Sequence, residues 1–251
     1  MLMIVSPTKQ MKLEEHVRPL SYTAQKKRSE AILNVLRELS VEELMKLMKI
    51  KEGIAKENQE RYQNLRLDKE GYAAIQTYYG LQFKRMHMED FQQEDWEYAQ
   101  SHLRILSGLY GVVKPFDSIY PYRLEFQCKL CVEGHKDLYD YWGDSLANEL
   151  KSDPHFQDDS LILNLASKEY AKAILPYMGN HVITITFYII KNGKLKTEST
   201  QVKMARGAMI GYLIRTKATS LSDVKAFNEE GYQVDEDLSS PNELVFVKQP
   251  E

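Results

Sequence analysis

The sequence predicts an α/β fold of mixed α+β type in a single compact domain spanning residues 1–251, with a helical first half and a mixed sheet after it. Three observations carry this. Helix-forming residues with apolar positions at spacings of three and four dominate up to Leu106. Short apolar runs, LMIV, SLILNLA and ELVFVK, read as strands. Asn192-Gly193, between VITITFYII and KLKTEST, marks a β-hairpin over residues 181–200. A chain of 251 residues that is 43% apolar and 27% charged can bury a full core, and no segment has the composition of a disordered one.

In chain order, MLMIVSPTKQ reads as a first strand. Five apolar residues before Ser6 are too few for a signal peptide or a membrane span, so a cytoplasmic protein is expected, with no membrane partner. Thr23 N-caps a helix in AQKKRSEAILNVLREL, Ser40 caps VEELMKLMKI, and Lys51 to Leu65 continues in helix-forming residues. Tyr72–Tyr79 and Gln92–Leu106 are further predicted helices, the second carrying a core stripe of Trp96, Ala99, Leu103 and Leu106. An irregular stretch between Pro115 and Pro121 leads into an extended run from Arg123 to Val132. Asp137–Leu150 is helical, its aromatic face more in keeping with core than with base stacking. The strand SLILNLA, a short helix in SKEYAKAIL, the hairpin, a basic helix over Val202–Thr216, a small helix over Leu221–Phe227 and the strand ELVFVK follow. There is no internal repeat, low-complexity tract or linker.

The net charge of −3 excludes a globally basic nucleic-acid binder but leaves room for a local basic surface. Charge is segregated along the chain. Glu89–Glu97 holds five acids and no base, Glu229–Glu243 six acids and no base, whereas Gln201–Lys217 holds Lys203, Arg206, Arg215 and Lys217 with no acid. Three junctions offer a lysine after a strand or at a helix start: SPTK, NLASKEYAK and KMARG. Ser167 leading into Lys168 suits either a phosphate at a helix N-terminus or a plain cap. Cys128 and Cys131 form one CxxC near His135, but an extended backbone sends the two sulfurs to opposite faces and three ligands fall short of a closed zinc site. No metal and no cofactor is expected. The sequence has no Walker A loop, GxGxxG, HExxH or GxSxG, and Asp158-Asp159 and Glu229-Glu230 read as solvated loops.

The blocks IVSPTK, HLRILSGLYGVVKPFDSIYPYRLE, KDLYDYWGD, NLASKEYAK, KMARGAMIGYLI and FNEEGYQVDEDLSS, in this order and nearly end to end, resemble the YaaA family of bacterial peroxide-stress proteins. The resemblance implies a family-specific mixed α/β fold, a positively charged cleft, a helix-hairpin-helix element, binding to double-stranded DNA and a protective role under hydrogen peroxide. It directs attention to LSGLYG, where Gly108, Leu109, Gly111 and Lys114 either hold phosphate through backbone N–H groups or form a structural turn that ends the preceding helix. The favoured reading is a non-enzymatic DNA binder in which those residues act with Lys9, Arg123, Lys168, Lys172, Lys203 and Arg206 lining the cleft. No obligate protein partner is expected. The alternative is an enzyme in which Ser6, Asn164 and Ser167, with Lys9, Arg123 and Lys168, build a pocket for a nucleotide or a flipped base. A third reading, direct binding of iron, is weakened by the scarcity of ligands.

Overall fold

Four residues organise the sheet. β1 (Leu2–Val5) is wholly buried and pairs in parallel on both edges, Met3 opposite Leu103 on one side and Leu163 on the other. A strand with both faces covered reads as an unbroken apolar run, which explains LMIV. The computed structural model describes residues 1–13, 17–156 and 160–249, so Asp158 and Asp159 lie outside the described residues.

The chain then makes β2 (Gln10–Met11) and β3 (Ser21–Tyr22) before three helices, α1 (Lys26–Glu38), α2 (Val41–Met48) and α3 (Glu52–Asn64). Ser40 forms a complete capping box with Glu43 at the start of α2. Thr23 does not cap α1: the helix begins at Lys26 behind Gln25, which makes no side-chain cap bond. The predicted helix over Tyr72–Tyr79 is a single turn, α4 (Ala74–Thr77), between β4 (Tyr72–Ala73) and β5 (Tyr78–Tyr79). Cross-strand pairing of Tyr72 with Ile119 and of Tyr79 with Gln10 overrides local propensity there, as tyrosine's preference for strands allows. The short α5 (Leu81–Lys84) follows.

α6 (Gln93–His102) stops four residues before the predicted end, because Leu103–Ser107 is drawn into the sheet beside β1 as β6. The stripe of Ala99, Leu103 and Leu106 is core, as expected, but it runs from a helix into a strand. β7 (Gly111–Val113) returns antiparallel to β6, and β8 (Asp117–Ile119) pairs with β3 and β4. Arg123 to Val132 holds turns and no strand among the described residues, with Cys128 buried and Cys131 exposed. Gly143, at φ 51°, splits the predicted Asp137–Leu150 helix into α7 (Leu138–Trp142) and α8 (Ser145–Lys151).

β9 (Ile162–Asn164) and the one-turn α9 (Lys168–Ala171) precede β10 (Val182–Lys191) and β11 (Lys194–Lys196). Asn192 and Gly193 both have positive φ, the geometry of the tight hairpin turn their sequence predicts. α10 (Ser199–Arg215) and α11 (Leu221–Lys225) lead to β12 (Tyr232–Ser240) and β13 (Glu243–Lys248). β12 is a charged edge strand whose acids hide it in the sequence. The main sheet runs β12-β13-β10-β9-β1-β6-β7, parallel from β13 to β6 and antiparallel at both edges. The result is the mixed α/β class read from the sequence.

A polar network closes the amino end of β6. Arg104, fully buried, donates from Nε and Nη2 to Asp153 Oδ2 at 2.9 and 2.6 Å and from its terminal nitrogens to the carbonyls of Gln100, Ser101 and Leu103. Beside it, burial and, less strongly, the nearby Asp117 push the Glu149 carboxyl up to about 7.

Two outcomes follow from this packing. α10 crosses α5 so closely that a Cβ on Gly207 would stand 2.1 Å from the Gln82 carbonyl, whereas a Cβ on Gly53 meets nothing within 4 Å. Gly207→Ala should therefore lower the melting temperature by roughly 5 °C or more, while Gly53→Ala holds or raises it. Equal melting temperatures for the two variants would show that the helices are not in close contact. Glu149 has a folded-state pKa above its ordinary 4.5, so its stabilising contribution is complete below about pH 4.5 and is lost as pH rises through about 7. Thermal melts between pH 4.5 and 8 should fall with pH for the parent and flatten in Glu149→Gln, with the variant the more stable at pH 8. Parallel curves would exclude this origin.

Candidate functional site

The carboxyl ends of β1 and β9 lie side by side, which places Ser6–Gln10 next to the loop that leads into α9. Loops at such strand ends are where open α/β sheets bind ligands. Ser6 ties them together: its Oγ accepts the Ser167 N–H at 2.8 Å and approaches Ser167 Oγ at 3.3 Å. With Gly80–Gln82 from the start of α5, and with Lys203 and Arg206 from α10, these residues enclose a cleft of about 380 Å³.

Its floor is a charge cluster. Glu125, with a side chain only 5% exposed, accepts from Lys9 Nζ at 2.9 Å and Arg123 Nη2 at 3.1 Å, both at Oε1, while its buried Oε2 has no protein partner. Tyr62 holds this loop by donating to the Arg123 carbonyl. Glu169 accepts from the Gln127 N–H at 3.2 Å, and burial, with some contribution from the Glu125 charge, pushes its carboxyl up. On the opposite wall Arg206 has no acidic partner among the described residues. Burial draws its pKa down to about 10, and its Nε is a buried donor without an acceptor. Of nine such side-chain atoms among the described residues, three, on Gln82, Glu125 and Arg206, belong to residues that line this cleft.

The segregated charges have a structural resolution. Arg215 pairs with Glu229 at 2.9 Å, Lys217 with Asp95, and Arg85 from the end of α5 with Glu230 at 3.1 Å. The acidic runs thus neutralise Arg215 at the carboxyl end of α10 and Lys217 just beyond it, and leave Lys203 and Arg206, one turn apart, turned to the cleft. Glu229 and Glu230, read as solvated loop acids, are ion-pair partners.

The predicted site residues divide into three groups. Ser6, Lys9, Ser167, Lys203 and Arg206 line the cleft, and Arg123 braces its floor through Glu125. Lys168, the first residue of α9, and Lys172, just past its end, lie outside the lining, with Lys172 Nζ 4.4 Å above the Tyr139 ring. Asn164 is buried, its Oδ1 taken by the Ala166 N–H and its Nδ2 donating to Thr184 Oγ1, so it shapes the turn without facing the cleft.

The third group requires a correction. Leu103–Val113 is a β-hairpin, β6 and β7, and no helix flanks the turn. Gly108, Leu109 and Gly111 are buried, and the N–H groups of Leu109 and Tyr110 donate to Ser107 Oγ at 3.2 and 2.9 Å. Trp142 Nε1 donates to the Gly108 carbonyl, and Gly111, at φ 78°, packs on the Trp142 ring. Lys114 lies toward Arg104, at the far end of the sheet from the cleft, and its N–H donates to Asp117. This segment is a structural turn, and it ends a strand where the sequence pattern ends a helix. Sequence pattern alone does not single out Glu125, Glu169, Gln82 or Tyr170. Glu125 and Glu169 stand close to Arg123 and Lys168 in the chain, which is a signal of a kind, whereas nothing local marks Gln82.

Fold and site together define a mixed α/β protein with a recessed polar cleft at the carboxyl ends of its parallel strands. The family described as peroxide stress protein YaaA matches residues 1–238, and the chain belongs to it. It is 42% identical to a UPF0246 protein of Clostridioides difficile over 99% of this chain and all of the relative. It is 38% identical to one of Desulfitobacterium hafniense over 99% and 98%, and 37% identical to one of Lactiplantibacillus plantarum over 99% and 100%. No helix among the described residues is long and apolar enough to cross a membrane.

A Cβ on Gly108 would meet the Leu124 carbonyl at 2.8 Å. Gly108→Ala should therefore lower the melting temperature, while any affinity for a DNA duplex, titrated well below the melt, should stay within about twofold of the parent in Gly108→Ala and Lys114→Ala, a difference of about 0.4 kcal/mol. Loss of affinity without loss of stability would restore a phosphate-binding role to the turn.

Proposed function

We propose that the protein binds double-stranded DNA at this cleft through backbone phosphates, without reading sequence, as part of the response to peroxide. The observation that supports it most is the pair Lys203 and Arg206, two cations free of acidic partners among the described residues and aimed into the same recess. Lys168 and Lys172, at the two ends of neighbouring α9, extend the cationic surface, and Glu125 is offset by Lys9 and Arg123, so the balance stays positive. Side-chain ammonium and guanidinium groups position a protein on a duplex without reading bases. The family's description supplies the peroxide context.

An enzyme acting on a nucleotide or flipped base in the same cleft is the second reading. It draws on Glu169, a half-buried carboxyl whose pKa is raised by burial beside the charged Glu125, a shift in the direction a general acid needs.

Binding of two unrelated duplexes, measured across a salt series, tests the first reading. With about four phosphates neutralised, log affinity should fall against log salt with a slope near −3.6, alike for both duplexes. Lys203→Ala should shallow the slope by about one without altering the melt. A flat salt response, or a strong preference between duplexes, overturns it. The same mixtures, treated with alkali to cleave abasic sites and resolved on denaturing gels, address the flipped-base form of the second reading: strand breakage supports an enzyme, and unchanged DNA removes that form.

A further inference from the structure

The cleft contains two kinds of polar group. Lys9 and Lys203 stand exposed, whereas three other lining side chains each carry a buried polar atom without a protein partner. Those atoms are two donors, Arg206 Nε and Gln82 Nε2, and one acceptor, Glu125 Oε2. A buried donor or acceptor left unpaired is costly, so a ligand that satisfies all three is favoured over one that satisfies some.

The set is selective. An inorganic phosphate or a bare phosphodiester supplies acceptors to Arg206 and Gln82 but sets negative charge against Glu125. A neutral nucleoside supplies an N–H or O–H to Glu125 and leaves Arg206 without an anion. Both ends are met by a ligand with an anionic group at one end, a neutral hydrogen-bond donor at the other and a flat body between. Tyr79, Leu81 and Tyr170 form the apolar wall against which such a body lies, and about 380 Å³ falls within the range of small-ligand pockets.

We propose that the floor of the cleft is a recognition site for one nucleoside monophosphate unit, its phosphate on Arg206 and Lys203 and an N–H or O–H of its base or sugar donated to Glu125 Oε2. In DNA the unit is an unpaired nucleotide turned out of the stack, and that clause rests on the DNA-binding reading above. The backbone around Arg206 is fixed by close packing: Gly207 and Gly211 press α10 against the Gln82 and Met86 carbonyls, so a Cβ at either position would stand within 2.2 Å of backbone oxygen. Glu125 is held by Lys9 and Arg123, both on Oε1, which leaves Oε2 for the ligand.

Calorimetric titration of the full chain with the four deoxynucleoside monophosphates, the matching deoxynucleosides and inorganic phosphate, alongside a duplex, tests this. Monophosphates should bind at one site per chain at least tenfold more tightly than phosphate or nucleoside, and Arg206→Ala should lose at least tenfold. Glu125→Gln should move the two ligands in opposite directions, strengthening phosphate and weakening the nucleotide, so that the preference disappears. If melting shows that Glu125→Gln does not fold, the ratio in the parent and the loss in Arg206→Lys decide. Equal affinity for phosphate and nucleotide overturns the proposal and leaves a simple anion site. Duplex binding with no nucleotide binding overturns it while the DNA reading stands. Nucleotide binding with no duplex binding supports the site and overturns the DNA reading, and nucleotide affinities that do not change in Arg206→Ala overturn the placement.

Discussion

Parallel pairing of β1 between β6 and β9 is the constraint on which the rest of the structure depends. Only four residues long, β1 takes its partners from about 100 and 160 positions further along the chain. No local signal can set such a register. It is fixed by burial of Leu2 to Val5 on both faces, since a slip of one residue would carry Ser6 into the core and expose Leu2. The same pairing brings Ser6 to Ser167 and makes a cleft where β1 and β9 end together. Contacts of this sequence separation carry a loop-closure cost that the local contacts within helices α1 to α3 do not.

Charge is arranged around that frame with the same economy. The α10 segment supplies four cations, but Arg215 and Lys217 face the acidic segments before β12 and at the start of α6 and are neutralised there. Lys203 and Arg206 face the cleft with no such partner. A helix whose two halves carry the same residue types thus serves in two ways, one half anchoring and one presenting charge, and tertiary placement of Glu229 and Asp95 separates them. Arg206 shows the cost of presentation: burial disfavours its charged form, and the backbone beside it is packed closely against α5 at Gly207.

Much of the fold is legible in the sequence, and the departures have a common cause. Ser40, Asn192-Gly193 and the apolar runs of β1, β9 and β13 carry their structure locally and fold as they read. Tyr72–Tyr79 and Leu103–Leu106 read as helix because apolar spacing of three and four is also satisfied by a strand buried on both faces. Glycine misleads in a related way. The two glycines of SGLYG are there because Leu124 and Trp142 approach the backbone closely, a packing demand that looks in sequence like a phosphate cradle. Of the site, the lysines and serines at strand ends are visible as residue types. Glu125 and Gln82 are not, because what distinguishes them is an unpaired atom in a recess, a property that exists only after folding.

The β-hairpin at LSGLYG differs from the expected phosphate-binding turn in where it leaves hydrogen-bond donors. Backbone N–H groups in a glycine turn take phosphate at the surface and leave a duplex undisturbed, as rigid and shallow donors. Here the Leu109 and Tyr110 N–H groups are closed off by Ser107, and donors come from long side chains at two depths, Lys203 at the mouth and Arg206 behind it. Lys203 is the more exposed of the two, and the recess behind it is bounded by the loops of β1 and α5. Depth therefore separates two kinds of donor within one cleft, an exposed ammonium at the rim and a recessed guanidinium beside buried polar atoms without protein partners.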